Sequence, residues 1–394
     1  MGHEPLLKAK NKNAPMTSLA TDLARPESSR KQLPESSRTT YRVPARPQKL
    51  VVIVPAHNEE KTIGEVIANI PCTIDDVEEV KVVVVNDCST DRTADIAREA
   101  GAIVVSHPNR HGVGAAFMTG IDAALRLQAD VIVNMDGDGQ FDSQDISKLI
   151  RPILYESHGF VTCTRFADPA NSPEMPRLKL WGNRMMCRLI NLIIRRGKFT
   201  DVSCGFRAYS RETALRLNLY GRFTYTQESF IDLASKGILM TEIPLRVRGT
   251  REFGKSKVAS NLFWYTLQTV PIMARAVRDV RPLTFFGTIG LVFLLLGCTM
   301  FGFVGVWWLI HERTSPWTSL LTIGSGSLVM GLVIGFIALI ADQIGRGRRI
   351  DEQLLYYARV RYFKEFADDS PSSPGAEARP DSHEEVSPAH PFEK

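Results

Sequence analysis

Three aspartates that follow one short apolar run are the residues best suited to do chemistry. In "VIVNMDGDGQFD", residues 131–142, the run ends and Asp136, Asp138 and Asp142 follow. Carboxylates this close together repel one another unless a positive charge lies between them. Asp136 and Asp138 flank Gly137, and such a pair can hold a hard divalent cation through oxygen ligands. On spacing alone, an acidic turn that binds calcium or no ion is the alternative.

The kind of cation indicates the kind of substrate. Mg²⁺ and Mn²⁺ keep coordination positions open for substrate phosphates, so the acidic pair indicates a site for a diphosphate. Asp142 lies further along and is interpreted as the N-cap of the helix predicted for "SQDISKLI". The glycines of "PNRHGVG", Gly112 and Gly114, precede another predicted helix. They favour a phosphate-binding helix start and an ordinary turn equally.

The elements that must position the aspartates are short strands alternating with helices. Strands are predicted by the apolar runs "KLVVIVPA", "EVKVVVVND", "AIVVSHP" and "DVIVNMDGD", and helices by "TIGEVIANI", "RTADIAREAG" and "GAAFMTGIDAALRLQ". Runs with no polar alternation indicate strands that are buried on both faces of a parallel sheet. The polar clusters "PAHNEE", "NDCSTD" and "MDGDGQ" fall at the carboxyl ends of three strands. Ligands bind at that edge of such sheets, so we predict an α/β fold with a mostly parallel sheet and one site there.

Composition narrows the class of protein. The chain has 394 residues, of which 44% are hydrophobic, and a formal net charge of +5. Such a mild positive charge does not suggest a nucleic-acid-binding protein, but it suits an anionic substrate or a membrane surface. Residues 1–48 are rich in Lys, Arg, Ser and Pro without hydrophobic periodicity, which is typical of a disordered arm. The catalytic domain is predicted over residues 49–258.

Two long apolar stretches predict membrane spans. Residues 283–310 and 317–341 carry no charged side chain, and each exceeds the roughly 20 residues that cross a bilayer as a helix. The six residues between them allow only a tight hairpin. Three arginines precede the first stretch and three follow the second: Arg275, Arg278, Arg281, Arg346, Arg348 and Arg349. The positive-inside rule therefore places the catalytic domain in the cytoplasm.

The segments beside the spans are assigned from their composition. Residues 259–282 have a helical apolar stripe interrupted by Pro271. They are interpreted as amphipathic juxtamembrane helices in the headgroup layer, and packing on the domain is the alternative. Residues 342–394 are predicted to form a cytoplasmic helix and then a disordered tail.

Five motifs follow one another along the chain: "VIVPAHNEE", "VVVVNDCSTDRT", "PNRHGVGAAFMTG", "MDGDGQFD" and "DVSCGFRAYSR". In this order they resemble family 2 glycosyltransferases, whose nucleotide-sugar-binding domain has the GT-A fold. The membrane hairpin and "GKSK" are similar to the dolichol-phosphate mannosyltransferase branch and its bacterial polyprenyl-phosphate relatives. The resemblance covers about residues 48–341. It implies a metal-dependent glycosyltransferase with a nucleoside-diphosphate sugar, a polyprenyl phosphate and Mg²⁺ or Mn²⁺ as its partners.

The resemblance also implies roles for individual residues. Those expected to bind the nucleotide sugar are Pro55, His57, Glu59, Asp87, Asp136 and Gly137. His57 stands where the family frequently has tyrosine, and Asp87 matches the acid that reads the base or ribose. The expected metal ligands are Asp136, Asp138 and Gln140. The amide oxygen of Gln140 would add a ligand without adding charge.

The acceptor side is implied in the same way. The cations expected around the lipid phosphate are Arg165, Arg177, Arg251 and Lys257. Planar guanidinium groups suit this task because they bind phosphate through paired hydrogen bonds. Arg177 is predicted to lie in a loop with Pro173 and Pro176. Catalysis is assigned to Asp138, Arg165 and Arg251, and Glu228 is a secondary candidate.

A phosphate acceptor predicts a mechanism without a general base. A phosphate monoester is largely dianionic at neutral pH because its second pKa is about 6, so it needs positioning and charge neutralisation rather than proton removal. Direct attack would invert the anomeric carbon. Glu228 would act as the base if the acceptor were a hydroxyl group of a glycolipid or polysaccharide. An inactive membrane-anchored assembly subunit is a further alternative, and a homo-oligomer is left open.

Overall fold

The computed structural model describes residues 48–166, 177–194, 198–219, 225–247, 278 and 282–368. Most of the predicted N-terminal arm, nearly all of the juxtamembrane segment and the tail after residue 368 therefore lie outside the described residues. So do Arg251 and Lys257, together with the side chain of Arg177.

The strands and helices alternate over most of the catalytic domain. The strands are β1 (Gln48–Ala56), β2 (Val77–Asn86), β3 (Ile103–Ser106), β4 (Val131–Asn134), β5 (Phe160–Thr164), β6 (Arg207–Ser210) and β7 (Met240–Pro244). The helices are α1 (Ile63–Ala68), α2 (Thr93–Glu99), α3 (Val113–Arg126), α4 (Ile146–Tyr155), α5 (Arg177–Ile194), α6 (Arg211–Arg216), α7 (Tyr225–Ser235), α8 (Pro282–His311) and α9 (Thr318–Asp368). The four strands and three helices predicted for the first half are all present.

The sheet has the order β3-β2-β1-β4-β6-β5-β7. Its strand pairs are parallel except for those of β6, which runs antiparallel to β4 and to β5. Val51, Ile53 and Ile132 pack on one face and Leu50, Val52 and Val133 on the other. Burial on both faces is the reason for the uninterrupted apolar runs. The prediction of a mostly parallel α/β sheet is confirmed.

Two helices are long and apolar enough to cross a membrane, α8 and the first half of α9. They pack closely as a hairpin because small residues line their contact. A Cβ added at Gly331 would lie 2.9 Å from the carbonyl oxygen of Gly290. Ser327 Oγ in α9 donates a hydrogen bond of 2.9 Å to the carbonyl oxygen of Phe293 in α8. The spans 283–310 and 317–341 stay predictions; the first lies within α8, and the second lies in the first half of α9 from residue 318 onward.

Helix α9 does not end where its apolar stretch ends. It is one helix of 51 residues, and its second half packs on the catalytic domain. There Tyr356 Oη donates to a carboxylate oxygen of Glu212 at 2.8 Å, and Arg359 Nη1 donates to the carbonyl oxygen of Leu217 at 2.8 Å. Phe363 is buried in the domain core. A single helix therefore connects the apolar hairpin to the catalytic domain.

Candidate active site

Strand order brings the three polar clusters of the sequence to one edge of the sheet. β1 lies between β2 and β4, so the carboxyl ends of these strands are adjacent. His57 Nδ1 donates to the carbonyl oxygen of Asp87 at 2.8 Å, which joins the segments after β1 and β2. Thr62 Oγ1 donates to the carbonyl oxygen of Gly137 at 2.7 Å, which joins the start of α1 to the acidic turn after β4. Together these segments form the candidate active site.

The acidic turn after β4 holds the predicted metal ligands. Asp138 is buried, whereas Asp136 and Gln140 are partly exposed. The backbone N–H of Gln140 donates to Asp138 Oδ1 at 3.1 Å, and Gly139 adopts a positive φ of 73° that closes the turn. Glycine accepts this φ without strain. Asp142 caps the following 3₁₀ turn, because its carboxylate accepts from the N–H of Gln144 at 2.9 Å. The predicted helix itself begins after this turn, with Asp145 at the N-cap position of α4.

Gly205 leaves the space that the Asp136 carboxylate occupies. A Cβ added at Gly205 would lie 2.9 Å from both carboxylate oxygens of Asp136, closer than such atoms pack. The backbone at Gly205 is held in place by Asn134 at the end of β4, whose Nδ2 donates to the Gly205 carbonyl oxygen at 2.7 Å. Burial and then the negative charge of Asp136 raise the pKa of Tyr225 well above its usual value. Asp136 is therefore seated against a fixed backbone.

Arg207 fixes the segment that precedes it. Its guanidinium is fully buried and donates to three backbone carbonyl oxygens: Cys204 at 2.8 Å, Val202 at 3.0 Å and Thr226 at 2.7 Å. It also donates to Ser229 Oγ at 2.9 Å. The segment before β6 is thereby tied to the start of α7. The position of Gly205, and with it that of Asp136, depends on this buried cation.

Asp87 organises the loop between β3 and α3. Its carboxylate accepts from His107 Nδ1 at 2.9 Å and from the backbone N–H groups of His111 and Gly112, both at 2.8 Å. Burial alone would raise the pKa of Asp87, but these hydrogen bonds outweigh it and lower the pKa. The N–H groups of His111 and Gly112, at the Gly-rich start of α3, therefore donate to Asp87 and not to a phosphate.

The acceptor-side cation that the structure describes is held by a carboxylate. Arg165 donates through Nε and Nη2 to the two carboxylate oxygens of Asp201, at 2.5 and 3.0 Å. Asp201 is fully buried, so the pair has a fixed orientation at the end of β5. Glu228 lies in the first turn of α7, four positions before Asp232. Arg177 begins α5, so its prediction as a loop residue is wrong, since Pro173 and Pro176 precede the helix.

The donor set after β4 fits a hard divalent cation. Two carboxylates and one amide oxygen on a tight turn are the ligands that Mg²⁺ and Mn²⁺ prefer. The Asp136 carboxylate lies directly against Gly205, which has no side chain to displace it. Among the described residues, no three His, Cys, Asp or Glu side chains form a metal-binding group. A site here would accordingly use Gln140 or substrate oxygens beside the two aspartates.

Sequence reasoning missed the residues that support the site: Asn134, Asp201, Gly205, Arg207 and Tyr225. One signal for Arg207 was available, because it falls inside the short strand pattern "FRAY", where an arginine must be either an edge residue or a satisfied buried cation. The contact of Gly205 with Asp136 had no signal in the sequence.

The mostly parallel sheet with an acidic turn at its carboxyl edge is like that of the GT-A class of glycosyltransferases. The family model described as "Glycosyl transferase family 2" matches residues 51–216. The chain belongs to this family.

Three relatives extend the comparison. Uncharacterized protein MJ1222 of Methanocaldococcus jannaschii is 35% identical over 202 residues, which are 50% of this chain and 81% of that protein. A "Dolichyl-phosphate hexose transferase" of Haloferax volcanii is 30% identical and covers 50% of this chain and 82% of its own. An "Undecaprenyl-phosphate mannosyltransferase" of Micrococcus luteus is 25% identical, with 58% and 96% covered.

Proposed function

We propose that this glycosyltransferase moves one sugar from a nucleoside-diphosphate sugar to a polyprenyl phosphate at the cytoplasmic face of a membrane, with inversion at the anomeric carbon. The observation that carries the proposal is an acidic turn at the carboxyl edge of a GT-A sheet, in a chain whose last helices are apolar enough to cross a bilayer. The names of two relatives, which specify dolichyl and undecaprenyl phosphate, support this acceptor class.

Asp136, Asp138 and Gln140 would hold the divalent cation, either Mg²⁺ or Mn²⁺. When bound, the cation neutralises negative charge on the departing nucleoside diphosphate. The chain's own part is to keep the two carboxylates in place before the donor binds. The N–H of Gln140 fixes Asp138, and the backbone at Gly205 fixes Asp136.

The donor nucleoside would bind across the ends of β1 and β2, beside Pro55, His57, Glu59 and Asp87. A carboxylate offers about four acceptor positions, and three of those of Asp87 are filled by His107, His111 and Gly112. With respect to the residues that the structure describes, the fourth position would accept from an N–H or O–H group of the base or ribose. The lowered pKa of Asp87 keeps the carboxylate ionised at neutral pH.

The acceptor phosphate would be positioned by Arg165, Arg177, Arg251 and Lys257. A guanidinium has five N–H donors, and Asp201 engages Arg165 on one edge through Nε and Nη2. The ion pair thus holds Arg165 in one orientation, and among the described residues its Nη1 group remains available to donate to an anion. A dianionic phosphate attacks without a general base, so the mechanism depends on these cations more than on Glu228.

We expect Arg251→Ala to slow transfer about ten- to a hundredfold. A hydrogen bond to a charged group contributes about 1.5–3 kcal/mol, and each 1.36 kcal/mol corresponds to a tenfold change in rate. Glu228→Gln keeps the shape of the side chain and should cost clearly less, because no proton has to be removed. Both variants would be assayed with a short polyprenyl phosphate and mass detection of the lipid product. An enzyme that tolerates Arg251→Ala but is thousands of times slower after Glu228→Gln would instead use a hydroxyl acceptor.

Substitution of Gly205 with alanine tests whether the position of the Asp136 carboxylate against Gly205 is needed for metal binding. The added Cβ would collide with both carboxylate oxygens, and displacing a support of a metal ligand typically lowers metal affinity about ten- to a hundredfold. The affinity would be measured as loss of the free Mn²⁺ signal in electron paramagnetic resonance. Gly182→Ala is the matched control, since a Cβ there meets nothing within 4 Å. Equal Mn²⁺ affinity in both variants would refute the metal assignment at Asp136.

The topology is tested by labelling in intact cells with a membrane-impermeant maleimide. We expect a cysteine at Arg313, in the hairpin loop, to react from outside. Cys72, which is exposed on the catalytic domain, should react only after the cells are permeabilised. Labelling of Cys72 in intact cells would place the catalytic domain on the other side of the membrane.

A further inference from the structure

Helix α5 exposes large apolar side chains on the side that faces away from the domain. Trp181, Met185, Leu189 and Leu192 are exposed to 60%, 53%, 38% and 71%. Their spacing of three or four residues puts them on one side of the helix. We call these four residues the α5 outer face. Apolar patches of this kind mark contacts with a membrane or another molecule.

The outer face is not the side on which α5 folds against the domain. Cys187, Ile190, Ile193 and Ile194 are buried in the core on the opposite side of the helix. Cys187 Sγ also lies 3.2 Å from the carbonyl oxygen of Thr200. One apolar side of α5 is therefore buried in the domain core. The other apolar side, the α5 outer face, is not covered by any of the described residues.

The charges on α5 identify what could cover it. Arg184 and Arg188 are exposed beside the outer face, and the whole helix, "RLKLWGNRMMCRLINLII", contains no acidic residue. Exposed tryptophan and leucine flanked by arginine are typical of helices that lie in the headgroup layer of anionic bilayers. Tryptophan in particular favours the boundary between water and lipid.

We propose that the α5 outer face lies in the headgroup layer of the membrane and forms a lipid contact of the catalytic domain that is separate from the apolar hairpin. The proposal rests on the membrane location given in the proposed function. The bilayer already lies within reach of the domain if α8 and α9 cross it, and the chemistry of the face matches an anionic lipid surface.

The position of α5 gives this contact a role near the acceptor. Asn183 Oδ1, in the first half of the helix, accepts a hydrogen bond of 3.0 Å from Ser203 Oγ. Ser203 follows Asp201, the partner of Arg165, and its N–H donates to Asp201 Oδ1 at 3.1 Å. Asn183 lies on the domain side of α5, so a bilayer against the outer face would be separated from the segment that orients Arg165 by one helix diameter, ~10–12 Å.

The test compares three fluorescent labels in the full-length protein in vesicles of phosphatidylcholine and phosphatidylglycerol. Cys72 and Cys88 are replaced with serine throughout. One variant keeps Cys298, which is exposed near the middle of α8. The other two carry Cys298→Ala with either Leu192→Cys on α5 or Leu239→Cys. Leu239 is a matched control because it is also an exposed leucine of the catalytic domain, at 55%.

Each label is exposed to lipids that carry a doxyl quencher and, separately, to iodide in the water. We expect the label at residue 192 to be quenched by doxyl groups high on the acyl chain and protected from iodide, and the label at residue 239 to behave in the opposite way. The label at Cys298 should be quenched by doxyl groups deep in the bilayer. Weaker doxyl quenching at residue 192 after Arg184→Gln and Arg188→Gln would support the part played by anionic lipid.

The remaining outcomes separate the two proposals. Quenching of Cys298 by deep doxyl lipids together with iodide quenching at residue 192 would overturn the α5 contact alone. Protection of residue 192 from both quenchers would also overturn it, because protein would then cover the face, either a second copy or another segment of this chain. Absence of doxyl quenching at Cys298 would overturn the membrane location itself, and the α5 contact with it.

Discussion

Replacement of Asp138 with asparagine is expected to abolish sugar transfer and leave the protein folded. Asp138 is 3% exposed and lies on the turn after β4. Asparagine keeps the oxygen that accepts the Gln140 N–H, so the turn survives, but it removes the charge that would bind the cation. Metal ions contribute several kcal/mol to charge stabilisation in transition states, which corresponds to about three orders of magnitude in rate.

The control for this experiment is Asp142→Asn, four residues further along. Asp142 caps a 3₁₀ turn, and asparagine is about as good a cap as aspartate, so this variant should keep its activity. Transfer would be measured with saturating Mg²⁺ and, separately, Mn²⁺. Near-normal turnover of Asp138→Asn with either ion would show that the acidic turn is not the metal site.

The second large effect is expected from Arg207→Met, which should lower the free energy of unfolding by roughly 3–5 kcal/mol, because the three carbonyl oxygens that Arg207 satisfies lose their buried donor. Methionine fills similar apolar space between Phe160 and Phe230, which contact the guanidinium. It donates no hydrogen bond to the acceptors that Arg207 now satisfies. Each buried acceptor left without a donor costs about 1–3 kcal/mol.

Denaturation of the purified protein in detergent would measure this loss. Arg98→Met is a suitable control, because Arg98 is exposed and, among the described residues, pairs with Asp95 within α2, an arrangement worth about 0.2–0.5 kcal/mol. A variant at Arg207 as stable as the variant at Arg98 would mean that the segment before β6 does not depend on the buried cation.

The local patterns of the sequence predicted the fold well because the sheet is buried on both faces. An apolar run such as residues 50–54 has no alternation of polar and apolar residues, which indicates a strand buried on both faces. The polar residues that follow such a run must lie at the carboxyl edge of the sheet. The boundary of α9 was less predictable. Charged residues from Asp342 onward end the apolar stretch. The backbone hydrogen bonds of a helix do not depend on whether its side chains are apolar or charged, so the helix continues.

The support of the site could not be predicted because it depends on strand pairing across the chain. Asn134 pairs with Arg207 in the antiparallel register of β4 and β6, and only that pairing brings Gly205 against Asp136. Periodicity describes which face of a strand is buried, and it carries no information about which strand is its neighbour.

The unbroken helix α9 would make the catalytic domain responsive to the thickness of a bilayer that its first half crosses. A helix of 51 residues is about 75 Å long at 1.5 Å per residue, and the Tyr356, Arg359 and Phe363 contacts fasten its far end to the domain. A span that is longer than its bilayer is thick accommodates by tilting. Because the same helix continues along the domain, a tilt of its membrane-crossing half would rotate the domain and displace the candidate active site relative to the membrane. Lipid composition would then set the height of the site above the headgroups.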